Sequence, residues 1–161
     1  MLKATEFNED KYEDNHMERF NNWIEGAISA KSAAKLIIFI NVCVTLFHLL
    51  IVAQIIPYNI VWGGRLTSYS EMIRFESFSI AINLLIMAVA AMASGLVKSR
   101  LPKGIINILL WILFVMLVMN TIANPFSATA LEAIVFTPLT FIMALCLYRL
   151  IVSRRDQPTI D

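Results

Sequence analysis

The chain has little of what metal centres, redox sites and nucleotide-binding loops are built from. Its 161 residues include two cysteines, two histidines and five glycines. Cys43 and Cys146 both lie inside long apolar runs and form no Cys-x-x-Cys pair, which argues against a disulfide, a metal site or a redox pair. His16 and His48 are far apart in the chain, and no glycine-rich phosphate loop is present. We therefore expect no cofactor, no metal and no nucleic-acid partner.

Charge is scarce as well, and long hydrophobic runs take its place. Only 16% of the residues are charged, 58% are hydrophobic and the mean hydropathy is +0.70, which lies outside the usual soluble range. Four apolar runs are each close to the length of roughly 20 residues that a helix needs to cross ~30 Å of hydrocarbon. Since backbone groups in lipid must pair within their own segment, such runs form helices. The spans are expected at about residues 36–56, 77–98, 103–123 and 130–152.

The predicted fold class is therefore all-α, a four-helix transmembrane bundle with an N-terminal amphipathic interfacial helix. In residues 16–30, Met17, Phe20 and Trp23 fall on one stripe at about 100° per residue. Such a helix either lies at the headgroup level of the membrane or packs on the ends of the spans. The predicted division of the chain is an acidic polar tail at 1–15, the interfacial helix at 16–30, the bundle at 31–153 and a cytoplasmic tail at 154–161.

The basic residues predict which side each loop faces. Counted from Lys31 onward across alternating loops, eight lie on the side that holds both termini, and only Arg65 and Arg74 lie on the other. An excess of Lys and Arg in short loops marks the cytoplasmic face. We therefore expect a multi-pass protein of the cytoplasmic (inner) membrane with cytoplasmic N- and C-termini. The eight are Lys31, Lys35, Lys98, Arg100, Lys103, Arg149, Arg154 and Arg155.

Turn signals predict how the spans are connected. Residues 57–67 hold β-forming residues on both sides of two adjacent glycines, which predicts a tight hairpin or a re-entrant turn. Ser68-x-x-Glu71 and Thr129-x-x-Glu132 are capping-box patterns, so one helix should begin near Tyr69 and the last span near residue 130. Pro138 lies inside that last span and should kink it.

The second span carries two small residues one helical turn apart, in Ala91-x-x-x-Gly95. Small residues let helix backbones approach each other closely in lipid. We expect this face to pack against another helix, within the bundle, in a homodimer or in a larger membrane complex.

Several polar residues are expected at similar depth in the outer half of the bilayer. Inside a membrane, such residues mark functional sites or bond helices to one another. We expect an outward-opening polar cavity between the helices, covered by the Trp-Gly-Gly-Arg loop. In the structural alternative the same side chains are interior hydrogen-bonding groups, helix caps or interfacial residues. The candidate ligand-binding residues are His48, Trp62, Arg65, Arg74, Glu76, Asn83, Asn120 and Glu132.

Four short motifs carry a resemblance to known proteins. They are Ile56-Pro57-Tyr58, Val61-Trp62-Gly63-Gly64-Arg65-Leu66, Glu71-Met72 and Phe75-Glu76-x-x-Ser79-Ile80-x-Ile82-Asn83-Leu84. With them, roughly residues 36–150 resemble a set of small bacterial four-helix membrane proteins, and the Trp-Gly-Gly-Arg loop is the most specific feature. The resemblance implies an integral protein of the bacterial cytoplasmic membrane and no particular reaction.

Three classes of function compete for this sequence. The residues favour a small-molecule- or lipid-binding helical bundle, such as a permease or a sensor. Arg65 and Arg74 beside the expected cavity favour an anionic ligand, either a lipid headgroup or a carboxylate. The alternative is an accessory or assembly subunit of a larger membrane complex. An enzyme lacks support, because only His48 with Glu76 or Glu132 offers an acid–base pair and no catalytic residue is predicted.

Overall fold

Within residues 16–155, which are the residues that the computed structural model describes, every regular element is helical. The tail predicted at 1–15 and residues 156–161 lie outside this range. The main helices are α1 (residues 16–27), α2 (Ala30–Val52), α3 (Tyr69–Ala93), α4 (Lys103–Ala123) and α5 (Thr137–Arg155). Short 3₁₀ turns lie at Tyr58–Ile60, Trp62–Gly64 and Asn124–Phe126, and a π-helical turn at Glu132–Phe136 leads into α5. The predicted all-α fold class is confirmed.

Four of these helices are long and apolar enough to cross a membrane. Their outward surfaces carry large apolar side chains, and Phe39, Ile108 and Ile112 are 67%, 61% and 58% exposed. Apolar surface of this extent is suited to hydrocarbon and not to water. The chain is therefore a multi-pass membrane protein. The candidate spans are Ala30–Val52, Tyr69–Ala93, Lys103–Phe126 and Glu132–Arg154.

Side-chain caps explain why two helices begin well before their apolar runs. α2 begins at Ala30 because the Ser29 hydroxyl accepts the N–H of Ser32 at 3.1 Å. α3 begins at Tyr69, as the capping box predicted, because the Ser68 hydroxyl accepts the N–H of Glu71 at 3.3 Å. Each cap satisfies a backbone donor that the helix itself leaves unpaired.

The interior of the bundle is divided into two packed clusters. The larger one joins all four long helices near the start of α2, with fully buried Ala33, Ala34 and Ala90 where α2 meets α3. Such small side chains allow the backbones to come close. The smaller one, around Ile51 and Met72, lies under the segment that connects α2 to α3. The space between the two clusters is where a cavity remains.

α1 is tied to α5 by hydrogen bonds and by apolar contacts, among them the Phe20 ring, whose centroid lies 5.6 Å from that of Tyr148. Ile24 is buried, the Tyr148 hydroxyl donates to Asn21 Oδ1 at 2.8 Å, and Arg149 Nε donates to the Ile28 carbonyl at 2.9 Å. Met17, Phe20 and Trp23 nevertheless remain 56%, 40% and 61% exposed. α1 therefore packs on a span, which was one of the two alternatives, and keeps an apolar surface that is free to meet a membrane interface.

The connection between α2 and α3 corrects the hairpin prediction. Residues 57–67 form no strand; they make two successive 3₁₀ turns, Tyr58–Ile60 and Trp62–Gly64. Val61 and Leu66 are buried against Ile51 and Met72, so the side chains that suggested a β-hairpin pack onto the helix ends instead. Burial of these residues outweighs their β propensity.

Gly95 corrects the prediction that Ala91-x-x-x-Gly95 packs against another helix within the bundle, whereas its role in a homodimer or a larger complex stays a prediction. It lies just past the end of α3 with a φ of +73°, and the Val97 N–H bonds back to the Ala91 carbonyl at 3.2 Å. This is a glycine-type helix terminus, in which a left-handed residue satisfies the last carbonyls. A Cβ added at Gly95 would meet nothing within 4 Å, so no backbone approaches it.

Pro138 acts on its helix through a π-helical turn. The turn covers Glu132–Phe136, and the Thr137 N–H bonds to the Glu132 carbonyl, five residues back. Because proline lacks an N–H and crowds the preceding turn, one wider turn relieves the clash that an unbroken α-helix would meet. This turn sets the direction in which Glu132 and Phe136 enter the bundle.

Candidate functional site

A cavity of about 340 Å³ lies between the two packed clusters, and all four long helices and the α2–α3 connection line it. Val44 and His48 come from α2, Ser79 and Asn83 from α3, Asn120 from α4, and Thr140 from α5. Two lining residues, Phe78 of α3 and Asn120 of α4, are themselves exposed. They indicate that the cavity opens through the gap between α3 and α4, whose mutual contact is weak compared with that of α2 and α3.

Behind one wall of the cavity, a carboxylate is buried completely. Glu76 of α3 has no exposed surface, and its Oε2 lies 2.5 Å from Nδ1 of His48 on α2. Its other oxygen accepts the indole N–H of Trp62 at 3.0 Å. Burying a carboxylate is tolerable only when its oxygens are paired in this way. Glu76 therefore joins α2, α3 and the loop that carries Trp62.

A second carboxylate holds the same loop from the other side. Glu132 Oε2 accepts the Gly63 N–H at 2.9 Å and the Thr129 hydroxyl at 3.0 Å, and the Ser127 hydroxyl also donates to it. The capping box predicted for Thr129 and Glu132 does not form, because the Thr129 N–H bonds to the Ser127 hydroxyl and Glu132 accepts the Thr129 hydroxyl instead. Besides bonding residues around the start of its own helix, Glu132 tethers a loop 69 positions away in the chain.

The loop between the two carboxylates has an unusual backbone. Trp62, Gly63 and Gly64 have φ values of +55°, +66° and +68° in succession. A tryptophan in the left-handed region is costly and persists only where surrounding contacts determine it. Here those contacts are the Trp62–Glu76 and Gly63–Glu132 hydrogen bonds and the Phe75 ring, whose centroid lies 4.7 Å from that of Trp62. The loop is therefore held over the cavity and forms part of its wall.

The amide side chains differ in how firmly they are engaged. Asn83 lines the cavity and is 8% exposed, and its Nδ2 donates to the Ser79 carbonyl at 2.9 Å. Asn120 and Asn124 lie at the open side of the cavity. Asn41, by contrast, lies outside the lining, buried within the core, and donates to the Ile37 carbonyl at 2.8 Å and to the Met143 sulfur at 3.2 Å.

The structure places the eight candidate residues in three groups. His48, Trp62, Asn83, Asn120 and Glu132 line the cavity, and Glu76 lies directly behind His48 and Trp62. Arg65 and Arg74 are exposed and lie outside the lining; Arg74 Nε donates to the Ser70 carbonyl of its own helix at 3.3 Å. The anionic ligand predicted from these two arginines thus stays a prediction to which the cavity lining adds no support.

Sequence reasoning missed the aromatic part of the site. Phe78 and Phe136 line the cavity together with Trp62, and Asn124 does so beside Asn120. Phe78 and Phe136 are apolar residues of the spans predicted at 77–98 and 130–152, and nothing in their sequence neighbourhood distinguishes them from lipid-facing residues. Phe136 ends the π-helical turn that precedes Pro138. Asn124 follows the span predicted at 103–123, and its spacing of four from Asn120 could have placed both on one face.

Within residues 16–155, no three His, Cys, Asp or Glu side chains come close enough to hold a metal ion. Cys43 is exposed and Cys146 is buried. No protein-family model, curated protein or solved structure matches the chain. The geometry described above offers a partly polar binding volume that opens between α3 and α4 and has aromatic side chains in its wall.

Proposed function

We propose that this protein is a ligand-binding helical bundle, a permease or a sensor, whose cavity between α2, α3, α4 and α5 takes up a small amphiphilic molecule. The observation that carries the proposal is the combination of volume and lining. At about 340 Å³ the cavity is at the small end of the range in which proteins bind small molecules, ~300–1,000 Å³. Its wall is mostly apolar, with a few convergent polar groups.

The arrangement around the cavity supports binding over a purely structural role. Two carboxylates on different helices, Glu76 and Glu132, hold one strained loop across it. Scaffold hydrogen bonds alone would not need Trp62 in a left-handed conformation. Strain of this kind is concentrated at sites where a molecule is bound or released.

We also propose that the protein belongs to the bacterial cytoplasmic membrane, with both termini in the cytoplasm. The excess of eight basic residues over two on the side of the termini supports the orientation. The resemblance of the Trp-Gly-Gly-Arg loop to small bacterial membrane proteins supports the source. In this orientation the cavity and its covering loop lie in the outer half of the bilayer.

The test compares two serine-to-phenylalanine substitutions two positions apart. Ser79 lines the cavity, whereas Ser77 is exposed on the outer side of α3. Ser79→Phe should fill the cavity and abolish the thermal stabilisation that wild-type protein gains from compounds in a library of small amphiphiles. Ser77→Phe, the matched control, should respond as wild type does. Equal stabilisation of both variants, or no stabilisation of the wild type by any compound, would contradict the proposal.

An accessory subunit remains the second candidate, and one surface favours it. Met17, Phe20 and Trp23 give α1 an exposed apolar face beside the end of α5. A photo-crosslinker at Trp23 should capture lipid if this face lies on the membrane. Repeated capture of one membrane protein in stoichiometric yield would favour the accessory role instead.

A further inference from the structure

The charge of the cavity wall is one-sided. Among its lining residues within the described part of the chain, Glu132 is the single Asp, Glu, Lys or Arg. His48 is hydrogen-bonded to the carboxylate of Glu76, so this pair adds no net positive charge to the wall in either protonation state of the imidazole. Arg65 and Arg74 are exposed and outside the lining. A ligand in the cavity therefore meets the carboxylate of Glu132 and no Lys or Arg side chain among the described lining residues.

The wall offers two unengaged acceptor oxygens. All three hydrogen bonds to Glu132 reach Oε2, and among the described residues no donor contacts Oε1. Asn83 uses one N–H of its amide on the Ser79 carbonyl, and its Oδ1 accepts no hydrogen bond from a described residue. The two oxygens come from the π-helical turn before α5 and from α3, whereas Asn120, Asn124 and Ser79 add groups that can donate as well as accept. Because a carboxylate only accepts, Glu132 Oε1 and Asn83 Oδ1 suit a group that donates hydrogen bonds in more than one direction.

Aromatic rings supply the rest of the wall. Trp62, Phe78 and Phe136 all line the cavity. The face of an aromatic ring attracts a cation, and the attraction is larger where water is excluded. A cation inside a membrane protein also needs a nearby carboxylate, since the surrounding low dielectric penalises an unpaired charge.

We propose that the ligand is a small organic cation, an ammonium group on an apolar body, with the ammonium at Glu132 Oε1 and Asn83 Oδ1. This inference rests on the ligand-binding function proposed above and names the substrate class of that site. An anion of the same shape would face the Glu132 carboxylate without a basic partner. A neutral alcohol would find acceptors and lose the charge attraction.

The experiment uses Trp62 itself as the reporter. The chain has three tryptophans, and Trp23→Phe with Trp111→Phe leaves only Trp62, which lines the cavity. Emission of the full-length protein in mild detergent is titrated with phenethylammonium, hydrocinnamate and phenethyl alcohol. These probes share one apolar body and differ in the charge of the head. We expect saturable binding of phenethylammonium, at least about 10-fold tighter than that of either other probe.

The matched pair of variants replaces one carboxylate inside the cavity and one outside it. Glu132→Gln should weaken phenethylammonium binding about 10-fold or more, because a charged hydrogen-bond partner is lost. Glu71→Gln alters a partly exposed carboxylate at the start of α3, bonded to Thr67 and outside the cavity lining, and should leave affinity unchanged. Because Glu132 also bonds to the Trp62–Gly64 loop, Glu132→Gln changes both the loop and the charge of the cavity. A second variant therefore tests the cation–aromatic attraction without changing that hydrogen bond. Phe136→Leu should weaken the ammonium about 3-fold and leave phenethyl alcohol unaffected.

Each result decides the inference separately from the function. Tighter binding of hydrocinnamate or of the alcohol, or full affinity in both Glu132→Gln and Phe136→Leu, overturns the cation assignment while leaving a ligand-binding cavity. If phenethylammonium gives no saturable change in Trp62 emission, the cation assignment is also overturned. The proposed ligand-binding function is then judged by the Ser79→Phe comparison alone.

Discussion

At the residue scale, Glu76 shows how one carboxylate can be placed inside a membrane bundle. The side chain has no exposed surface, yet each of its oxygens faces a donor-bearing group, His48 Nδ1 for Oε2 and Trp62 Nε1 for Oε1. Removing such a partner leaves other polar groups buried and unpaired, which costs more than the hydrogen bonds themselves. Glu76 thereby stabilises the end of the bundle that carries the Trp62 loop, and it does so from outside the cavity lining.

Substitutions at Glu76 should separate hydrogen bonding from charge. We expect Glu76→Ala to lower the free energy of unfolding by about 3 kcal/mol, since His48 and Trp62 both lose their partner. Glu76→Gln keeps an acceptor and should cost about 1 kcal/mol. The measurement is chemical unfolding in detergent, with Ser77→Ala at an exposed position as control. If Glu76→Ala unfolded at the denaturant concentration of the wild type, the hydrogen bonds would not exist as described.

At the element scale, the Trp62–Gly64 turn depends on glycine for steric reasons. Gly64 has a φ of +68°, and a Cβ added there would come within 3.2 Å of the Asn59 carbonyl oxygen. A left-handed conformation costs an L-residue roughly 1–2 kcal/mol even before that contact is counted. The element therefore holds its shape through backbone constraint as well as through the carboxylates of Glu76 and Glu132.

Two glycine-to-alanine substitutions should have opposite effects. Gly64→Ala is expected to destabilise the protein by about 1–2 kcal/mol and to weaken ligand binding, because the loop that carries Trp62 must shift. Gly104 lies in the first turn of α4, and a Cβ added there would meet nothing within 4 Å. Gly104→Ala should therefore stabilise the folded protein by about 0.5 kcal/mol. Thermal unfolding in detergent measures both. Similar losses of stability in Gly64→Ala and Gly104→Ala would contradict the left-handed conformation described for the Trp62–Gly64 turn.

The docking of α1 on α5 is a second property of an element. Ile24→Ala should loosen α1 by about 2 kcal/mol, because Ile24 is 4% exposed and its removal leaves a void. Hydrogen exchange over residues 16–27 should then become faster while exchange in α3 stays unchanged. Asn22→Ala, at an exposed position of the same helix, is the matched control. Unchanged exchange in Ile24→Ala would argue that α1 does not dock through this residue.

At the scale of the whole molecule, the bundle consists of two packed regions separated by the cavity. Buried alanines of α2 and α3 belong to the larger cluster, and the smaller cluster packs beneath the loop. Between them α3 and α4 contact each other less, and the exposed Phe78 and Asn120 mark an opening there. An opening between two spans would let an amphiphile reach the cavity from the bilayer.

The orientation of the molecule can be measured with single cysteines. In a Cys43→Ala, Cys146→Ala background, Thr67→Cys should react with a membrane-impermeant thiol reagent added to intact cells. Ser99→Cys should react only after the membrane is permeabilised. The physical reason is the basic excess on the Ser99 side of the bundle. The reverse labelling pattern would overturn the proposed topology.

Local signals determined most of what the sequence could predict about this protein. Four apolar runs were enough for an all-α bundle, because lipid forces each run to satisfy its own backbone. The Ser68 and Glu71 pair was enough to place the start of α3, since capping depends only on neighbours in the chain. Several polar residues of the site were also found, because polar groups are conspicuous in an apolar run.

Only the tertiary structure decided which of those residues meet. It brought Glu76 to His48 and Trp62, placed Glu132 against Gly63, and left both arginines outside the cavity. It also turned Phe136 inward through the π-helical turn before Pro138. The reason is physical: caps and spans depend on contacts within a few residues, whereas a cavity depends on how distant helices rotate and separate as they pack.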